Sequence, residues 1–485
     1  MTLRLGRVAR RRAARALFAL FGSLASLGVA LPARAGGLYF SERGTRPIGR
    51  GGAFIAGADD LHATWLNPAG LADAKTSAMV DFTAYVYSAD FTRQSNVTDS
   101  SGAVRTVEFP TVTGKGAPVP IPLLGGSYAF GENKEYTAAI SLYAPNAPIT
   151  KWPEDLDGAP SPQRYTILSL EGTTLVVLGG YFAWKPVEEI RFGMGLQALL
   201  GSFVAKTTLN ANPSDRLLGA PEDPSYDAIA RLEAGPIISP SANFGMTAVP
   251  DKRLRIGVSA QLPFAVRASG KLKMRLPEAA VFDNASQSGD AIKVRFNLPL
   301  ILRAGVEVRP EDNLRIEVAY VREFWSSHRS IEVEPQNVAL LGITGFPSPF
   351  AVTPISLPKN FQDTHSFRAG AEMRFPLKES ENAISGRAGL MYEPSAIPND
   401  YVSAVTIDMD KVIVGLGGSF HAGEHWRFDA LVSHIFTGDT TVDPASAKLD
   451  RVNPVKGNPT EAEAVNGGKY SVSASMIGLG ANYIF

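Results

Sequence analysis

Few side chains in this 485-residue chain have the types and spacing that enzymatic or metal chemistry requires. The chain has no cysteine, so it can form neither a thiolate site nor a disulfide. It also lacks the G-x-S-x-G, P-loop and H-E-x-x-H motifs. His421, His425 and His434 come closest to a metal-binding pattern, but a spacing of four residues brings side chains together only on a helix. We therefore predict no metal site, no catalytic residue and no cofactor.

Four arginines, Arg191, Arg255, Arg303 and Arg315, lie in stretches where polar and apolar residues alternate. A guanidinium group binds a carboxylate through two parallel hydrogen bonds, so these arginines could line a path for a carboxylate ligand. Charged side chains inside a protein also form paired networks that serve structure alone. Both interpretations stay open, and the choice depends on the elements that carry the arginines.

The stretches that carry these arginines alternate with a period of two residues. In RLRIGVSAQLPF (253–264) the apolar side chains fall on one face, and Arg, Gly, Ser and Gln fall on the other. LRAGVEV, LRIEVAY, IRFGMGLQA and FRAGAEMRF repeat the pattern. Segments of about 10 residues can cross a bilayer as tilted strands. An apolar outer face with a polar inner face is typical of a transmembrane barrel.

About fourteen such segments predict an all-β fold, a transmembrane antiparallel up-and-down barrel. The candidate strands lie near 77–91, 121–130, 136–147, 165–184, 190–206, 238–248, 253–269, 291–308, 314–333, 361–376, 384–394, 409–421, 426–437 and 470–485. Short connections predict periplasmic turns at 131–135, 185–189, 249–252, 309–313, 376–382 and 421–424. The longer connections predict extracellular loops, and two of them, 207–237 and 271–290, contain the helix-compatible runs SYDAIARLEA and LPEAAVFD.

The two ends of the chain carry features of export and assembly. Residues 1–35 combine early arginines, an apolar stretch and Ala33-Arg34-Ala35, which predicts a cleaved signal peptide rather than a membrane anchor. Removing the seven arginines of this leader leaves 40 basic residues against 47 acidic ones, and the net charge of −7 argues against a nucleic-acid partner. The chain ends in IGLGANYIF, and the terminal Phe485 resembles the assembly signal of bacterial outer-membrane proteins.

Residues 36–76 separate the leader from the first strand and show little alternation, yet they are too apolar for a disordered tail. We predict that this segment plugs the barrel, because a lumen of this size is either a channel or a plugged space. Its most distinctive feature is Asn67-Pro68-Ala69-Gly70. Proline fixes φ, removes a donor and keeps the preceding residue out of the helical region, so the motif should stop any regular element.

The segment IGRGGAFIAGADDLHATWLNPAGL (48–71) resembles the N-terminal hatch of the long-chain fatty acid transporter family, which includes toluene and xylene transporters. The matching positions are Gly49, Ala56, Gly57, Asp60, Asn67, Pro68, Ala69 and Gly70. AAISLYAPNAPITKWPED…QRY (138–165) is similar to the family's third strand and the loop after it. The resemblance implies a signal peptide (1–35), a hatch (36–76) and a fourteen-stranded barrel (77–485) in the bacterial outer membrane.

The resemblance also implies a mechanism. A hydrophobic compound is captured at the extracellular loops, enters a pocket above the hatch and leaves sideways through a gap beside the kinked third strand. Pro145 and Pro148 lack a donor and would interrupt pairing there. Leu38, Tyr39 and Phe40 would contact the ligand or simply pack against the wall. Asn67–Gly70 would act as a structural pivot.

Long-chain fatty acids are the expected cargo, and aromatic hydrocarbons are the alternative on the same scaffold. The other expected partners are outer-membrane lipids and the barrel assembly machinery, and we expect a monomer. Two other classes stay open. One is an open diffusion porin, against which the hatch argues, and the other is an outer-membrane enzyme acting on lipids.

Overall fold

The computed structural model describes residues 42–98, 101–116, 120–144, 150–212, 223–378, 380–455 and 464–485. Fourteen antiparallel strands dominate this part of the chain. They are β1 (Ser77–Thr98), β2 (Val112–Gly116 and Pro120–Phe130), β3 (Tyr136–Tyr143), β4 (Thr174–Val187), β5 (Ile190–Asn210), β6 (Asp227–Asp251), β7 (Leu254–Gln261 and Phe264–Arg275), β8 (Ala291–Leu298 and Ile301–Glu311), β9 (Leu314–Glu323 and Ser330–Pro335), β10 (Ile355–Pro358 and Thr364–Pro376), β11 (Ala383–Glu393), β12 (Lys411–Ala422), β13 (Trp426–Thr437) and β14 (Gly468–Ile484).

The strands form a closed barrel. Each strand pairs with the next along the chain, and β14 pairs with β1 from Ser77↔Ile484 to Arg93↔Gly468. Closure leaves no unpaired strand edge facing lipid, where an unsatisfied backbone group would be costly. The prediction of an all-β, fourteen-stranded antiparallel barrel is confirmed.

Alternation along each strand separates the two faces of the wall. Val80, Leu196 and Ile477 are exposed on the outside, whereas Arg255 and Glu307 are buried on the inside. The periplasmic turns are short, as predicted, and the structure has them at 131–135, 188–189, 252–253, 312–313, 377–382 and 423–425. An apolar belt outside and a polar lumen inside are the arrangement that a bilayer requires.

Two strand predictions were wrong on the extracellular side. Strand β4 begins at Thr174 and not at 165, because residues 161–173 form turns that pack Tyr165 against Asp227. Strand β6 begins at Asp227 and not at 238, so the helix-compatible SYDAIARLEA is mostly strand. Pairing with β5 and β7 overrides the local helix propensity of its Ala, Leu and Glu residues.

Strands β7 to β10 are each interrupted at a similar level. Beyond the interruptions, residues 227–234 of β6 and the segments Phe264–Arg275, Ala291–Leu298, Ser330–Pro335 and Ile355–Pro358 pair in sequence. We call this extension of the wall the upper sheet. Pro263 and Pro299 lie in two of the interruptions, where a residue without a donor disrupts a ladder least.

The remaining regular elements are short. Small strands lie at Val104–Glu108, Thr150–Lys151, Asp155–Leu156, Ala159–Pro160, Ser286–Ser288, Ala339–Leu341, Phe350–Ala351 and Thr440–Val442. Single 3-10 turns lie at Pro224–Tyr226, Ala280–Phe282, Trp325–Ser327 and Asn399–Tyr401. No helix among the described residues is long and apolar enough to cross a membrane.

Residues 42–76 lie inside the barrel, and we call them the lumenal segment. Helix α1 (Thr45–Gly49), helix α2 (Ala63–Leu66) and a 3-10 helix (Pro68–Asp73) are its only regular elements within the described residues. Nearly every residue of this segment is buried. Such irregular backbone is tolerated at membrane depth only where protein or water surrounds it.

Candidate functional site in the barrel lumen

Hydrogen bonds from the barrel wall hold the backbone of the lumenal segment. Asp81 of β1 accepts from the Thr45 backbone nitrogen at 3.1 Å and from its hydroxyl at 2.5 Å. Glu317 of β9 accepts from the backbone nitrogens of three consecutive residues, Ile55, Ala56 and Gly57, at 2.6, 2.9 and 2.9 Å. The wall side chains therefore satisfy donors that a helix or sheet would satisfy elsewhere.

Buried ion pairs tie the same segment to the wall. Arg46 on α1 contacts Glu372 of β10 at 2.8 Å and Asp60 at 2.9 Å. Arg50, just after α1, contacts Glu307 of β8 at 3.0 Å. Removing one partner of such a pair would destabilise the protein, because the other charge would stay buried without a counter-charge.

The four arginines singled out in the sequence all face the lumen, and three of them join this network. Arg191 and Arg255 contact Asp73 at 3.1 and 2.5 Å. Arg315 contacts Asp59 at 2.7 Å and Glu307 at 3.0 Å. Arg303 instead places its guanidinium 4.3 Å from the centre of the Trp65 ring. Arg191, Arg255 and Arg315 therefore anchor the lumenal segment, which supports the interpretation of these charges as a structural network.

The Asn67-Pro68-Ala69-Gly70 motif ends helix α2, as its residue types predicted, but its last three residues begin a 3-10 helix. Helix α2 ends at Leu66, and Pro68 is the first residue of the 3-10 helix that follows. The Asn67 amide donates to the Ile55 carbonyl at 2.8 Å and to the Thr247 hydroxyl at 3.0 Å, and its oxygen accepts from the Ala69 nitrogen.

Gly70 is required by space, since a Cβ there would overlap the Ala58 carbonyl. The motif thus fastens one part of the lumenal segment to another and to β6.

Trp65, two residues before the motif, lies between two guanidinium groups. Arg43 is 3.7 Å from its ring centre on one side, and Arg303 is 4.3 Å away. Its ring also meets Tyr143, the last residue of β3, edge-on at 5.7 Å. Gln197 donates to the Tyr143 hydroxyl at 3.2 Å. The lumenal segment therefore touches the wall directly where β3 ends.

The predicted kink residues Pro145 and Pro148 follow that point, but they lie outside the described residues. Leu38, Tyr39 and Phe40, the predicted ligand contacts, also lie outside them.

A ring of glycines on the inner face of the wall surrounds the lumenal segment. A Cβ at Gly193 would overlap the backbone of Pro68, and one at Gly245 would overlap the Asn67 amide. The glycines that approach the segment in this way are Gly193, Gly245, Gly257, Gly305, Gly370, Gly389, Gly415 and Gly478. Several are direct neighbours across strands: 193↔245, 257↔305, 370↔389 and 389↔415.

Sequence reasoning missed this ring. Its signal was a glycine that lies three to seven residues from the periplasmic end of eight of the fourteen strands.

The extracellular half of the lumen holds a cluster of aromatic rings. Phe361 meets Trp325 edge-on at 5.6 Å and stacks on His328 at 5.0 Å. Phe296 lies 6.1 Å from His328. Lys359 adjoins this cluster, since its backbone nitrogen donates to the carbonyl of Arg329 at 2.7 Å.

Lys359 is a buried cation of the extracellular loops. Its side chain is 2% exposed, and its ammonium donates to the Thr406 hydroxyl at 3.2 Å. Among the described residues, no carboxylate lies within ion-pair distance of it. Burial lowers the pKa of Lys359 to about 8, because the charged form has lost its water. No local sequence pattern points to this residue, which lies in the interruption of β10.

Two other loop residues near the extracellular end have displaced pKa values. Burial lowers the pKa of His328 to about 4, so the ring is neutral at physiological pH. Burial raises the pKa of Asp408 to about 7, although the neighbouring Lys411 ammonium at 2.7 Å favours the charged carboxylate. The extracellular half of the lumen is thus a dry environment in which isolated charges are disfavoured.

The two sides of the lumenal segment differ in space and polarity. On the periplasmic side a cavity of about 820 Å³ is lined largely by charged residues, among them Arg309, Glu381 and Arg427. On the extracellular side a cavity of about 10 Å³ is lined mainly by apolar side chains, among them Tyr85 and Met476. The smaller cavity has room for about one water.

The three histidines do not converge. His421 contacts the Ser385 hydroxyl, His425 the Ile484 carbonyl and His434 the Ser475 hydroxyl. Within the described ranges, no group of three or more His, Asp or Glu side chains could hold a metal ion.

Phe485 is 72% exposed, and its backbone nitrogen donates to the Thr76 carbonyl at 3.0 Å. The last residue of the barrel is therefore bonded to the last residue of the lumenal segment.

Residues 26–485 match the family model described as Outer membrane protein transport protein (OMPP1/FadL/TodX). The chain belongs to this family. Family members are non-enzymatic channels for hydrophobic compounds, and the family and the barrel place the protein in the bacterial outer membrane. The predictions of family, fold and location are confirmed. No curated protein sequence is similar enough to match.

Solved structures share the fold at low sequence identity. A FadL homologue of Pseudomonas aeruginosa is 15% identical with a TM-score of 0.68, and the match covers 93% of this chain and 100% of that one. The Ralstonia pickettii toluene transporter TbuX is 17% identical with a TM-score of 0.57, covering 91% and 98%. The Pseudomonas putida toluene transporter TodX is 14% identical with a TM-score of 0.59, covering 91% and 98%. These likenesses concern the fold alone.

Proposed function

We propose that this transporter takes up long-chain fatty acids by passive, hatch-gated lateral diffusion through the barrel wall. The observation that carries the choice of cargo is Lys359, a buried ammonium beside an aromatic cluster and without a carboxylate partner among the described residues. A fatty acid supplies both an alkyl chain for the rings and a carboxylate for the ammonium. A hydrocarbon would leave the ammonium unsatisfied.

The route follows from the polarity of the two cavities. The cavity of about 820 Å³ on the periplasmic side is lined largely by charged residues, which makes it a poor site for an alkyl chain. An apolar ligand above the lumenal segment is better accommodated by leaving sideways, into lipid. The wall at the end of β3 supports this exit, because Trp65 of the lumenal segment touches Tyr143 there.

In this proposal the lumenal segment is the hatch, within the predicted boundaries 36–76. Asn67, Pro68, Ala69 and Gly70 form its pivot, Leu38, Tyr39 and Phe40 contact the ligand, and Pro145 and Pro148 interrupt pairing beside the exit. Gly51 and Gly52 support a movable hatch, since both have positive φ (59° and 74°) and line the small apolar cavity. Residues 1–35 are removed on export, and Phe485 marks the chain for barrel assembly.

The cargo is tested by Lys359→Met, measured as binding of labelled oleate and of labelled toluene to the purified protein in mild detergent. We expect oleate affinity to fall about 10- to 100-fold, the range for a lost hydrogen bond to a charged group, with toluene affinity unchanged. Lys469→Met, at an exposed lysine, is the matched control and should leave both affinities as they are. Lys359→Arg should retain most of the oleate affinity.

Aromatic hydrocarbons are the second candidate cargo. Two of the similar structures, TbuX and TodX, are toluene transporters by their descriptions. Saturable toluene binding, together with oleate binding that is absent or indifferent to Lys359→Met, would replace the fatty acid with this cargo. A steady ion current through the wild-type protein would instead favour the diffusion porin.

A further inference from the structure

The outer face of the upper sheet carries basic side chains on three neighbouring strands. On β7 the outward residues alternate with Val266, Ala268 and Leu272, which are buried, so the basic side chains point away from the lumen. These exposed basic residues are Arg231, Arg267, Lys271, Lys273, Arg275, Lys293 and Arg295. We call them the basic patch.

Strand register places like charges directly opposite each other within the patch. Arg267 of β7 faces Arg295 of β8, and Arg231 of β6 faces Lys273 of β7. Like charges in directly opposed positions of an antiparallel pair are destabilising. The register also places carboxylates opposite other patch residues, Glu233 opposite Lys271 and Glu334 opposite Lys293.

Acidic residues on the same face compensate only part of this charge. Arg231 pairs with Glu233 at 2.7 Å, and Arg295 pairs with Glu334 at 3.0 Å. The face holds four acidic residues, Glu233, Asp290, Glu332 and Glu334, against the seven basic ones, which leaves a surplus of three positive charges. Among the described residues, Lys273, Arg275 and Lys293 have no carboxylate within ion-pair distance.

The height of the patch above the lipid-facing belt identifies its surroundings. Leu262 of β7 and Leu302 of β8 are the last exposed large apolar residues below the interruptions. Arg267 lies five residues beyond Leu262, about 16 Å along a strand. The patch therefore begins above the lipid-facing belt, on the side of the long loops, and Arg267 and Arg295 are its residues nearest to the belt.

We propose that the basic patch binds the phosphate groups of anionic lipids in the outer leaflet. Its side chains project sideways from the barrel, and at its lower edge a lipid phosphate can reach the space between the opposed Arg267 and Arg295. Charge-assisted hydrogen bonds from Arg and Lys to phosphate are strong. Juxtamembrane clusters of basic residues bind anionic headgroups for the same reason. This inference does not depend on the identity of the transported cargo.

The test removes four charges with Arg267→Gln, Lys273→Gln, Lys293→Gln and Arg295→Gln in one variant. The matched control neutralises four exposed basic residues on the opposite side of the barrel mouth, with Arg105→Gln, Lys115→Gln, Lys151→Gln and Lys469→Gln. Both delipidated proteins and the wild type are titrated with bisphosphorylated lipid A in neutral detergent micelles. We expect at least about tenfold weaker binding for the patch variant, and binding within twofold of wild type for the control.

A second measurement uses the wild-type protein alone and so does not depend on folding of the variant. Dephosphorylated lipid A should bind at least about tenfold more weakly than the bisphosphorylated form, and added inorganic phosphate should compete poorly because it lacks the lipid anchor. Equal affinity for both forms of lipid A would overturn the proposal. Equal weakening of lipid A binding in the patch and control variants would also overturn the proposal, because the loss would then follow from the change in net charge alone.

Discussion

Burial of the Lys359 ammonium makes the free energy of unfolding depend on pH. In the unfolded chain a lysine has its ordinary pKa of about 10.4, whereas in the folded protein the value is about 8. Between these values the unfolded chain binds more protons than the folded one, so stability rises with pH across that window. Below pH 8 the full cost of the buried charge, about 3 kcal/mol, is present.

Lys359→Met should therefore stabilise the empty transporter at pH 7 and have little effect near pH 10.5. Denaturant unfolding of the detergent-solubilised wild type and variant at both pH values measures this difference. Lys271→Met, at an exposed position, should show no such pH-dependent gain. A variant that is destabilised equally at both pH values would mean that the lysine has a partner.

The side-chain amide of Asn67 donates to Ile55, in another part of the lumenal segment, and to Thr247 of β6. In Asn67→Asp the side chain can no longer donate to the Ile55 carbonyl, and a buried acceptor is left unsatisfied at a cost of about 1–3 kcal/mol. We expect uptake of labelled oleate by cells to fall while heat-modifiable barrel accumulates normally. Replacing Pro68 should act in the same direction. Asn133→Asp, in an exposed turn, is the control. Unchanged uptake in Asn67→Asp would mean that the motif is only a turn and has no part in transport.

At the residue level, the sequence predicted those features that depend on local backbone chemistry. Asn67-Pro68 ends one short helix and begins another because proline acts on its immediate neighbours. Lys359 could not be found in this way, since its burial depends on Phe361, the loop at Thr406 and the interruption of β9. The partners of Arg191 and Arg255 were equally out of reach, because Asp73 is more than 100 residues away in sequence.

At the level of elements, the ring of glycines lets the strands approach the lumenal segment backbone to backbone. In Gly245→Ala the new methyl group would overlap the Asn67 amide oxygen and force the segment to shift. We expect this variant to pass ions across a planar bilayer, where the wild type is closed. Gly386→Ala on β11 is the matched control, because a Cβ there meets nothing within 4 Å. A variant at Gly245 that stays closed would show that the segment can yield without opening.

Strand positions within the membrane were predictable because alternation is a local pattern and short turns fix the register. The extracellular ends were not. The extracellular part of β6 pairs with β5 and β7, and the turns around Tyr165 make β4 begin later than predicted. Both arise from contacts between loops that are distant in sequence. The secondary structure of those segments is therefore set by tertiary pairing, which overrides their intrinsic propensities.

At the level of the whole molecule, eight of the fourteen strands hold the lumenal segment through side-chain contacts. The anchoring residues come from β1, β5 to β10 and β13, so no single contact can release the segment. Opening must either move the segment by small local shifts or break several buried ion pairs at once. Small local shifts are favoured, because each broken ion pair would leave a buried charge unpaired at a cost of several kcal/mol. This arrangement fits a gate that moves slightly and reseals.

The bond between Phe485 and Thr76 has a consequence for biogenesis. The seam of the barrel joins β14 to β1, the strand that directly follows the lumenal segment. The lumenal segment is joined directly to β1 and is surrounded by side chains from strands made long after it. Its buried ion pairs can therefore form only once those strands surround it. Seam closure and packing of the interior are then one event, and an empty barrel should be a rare product of maturation.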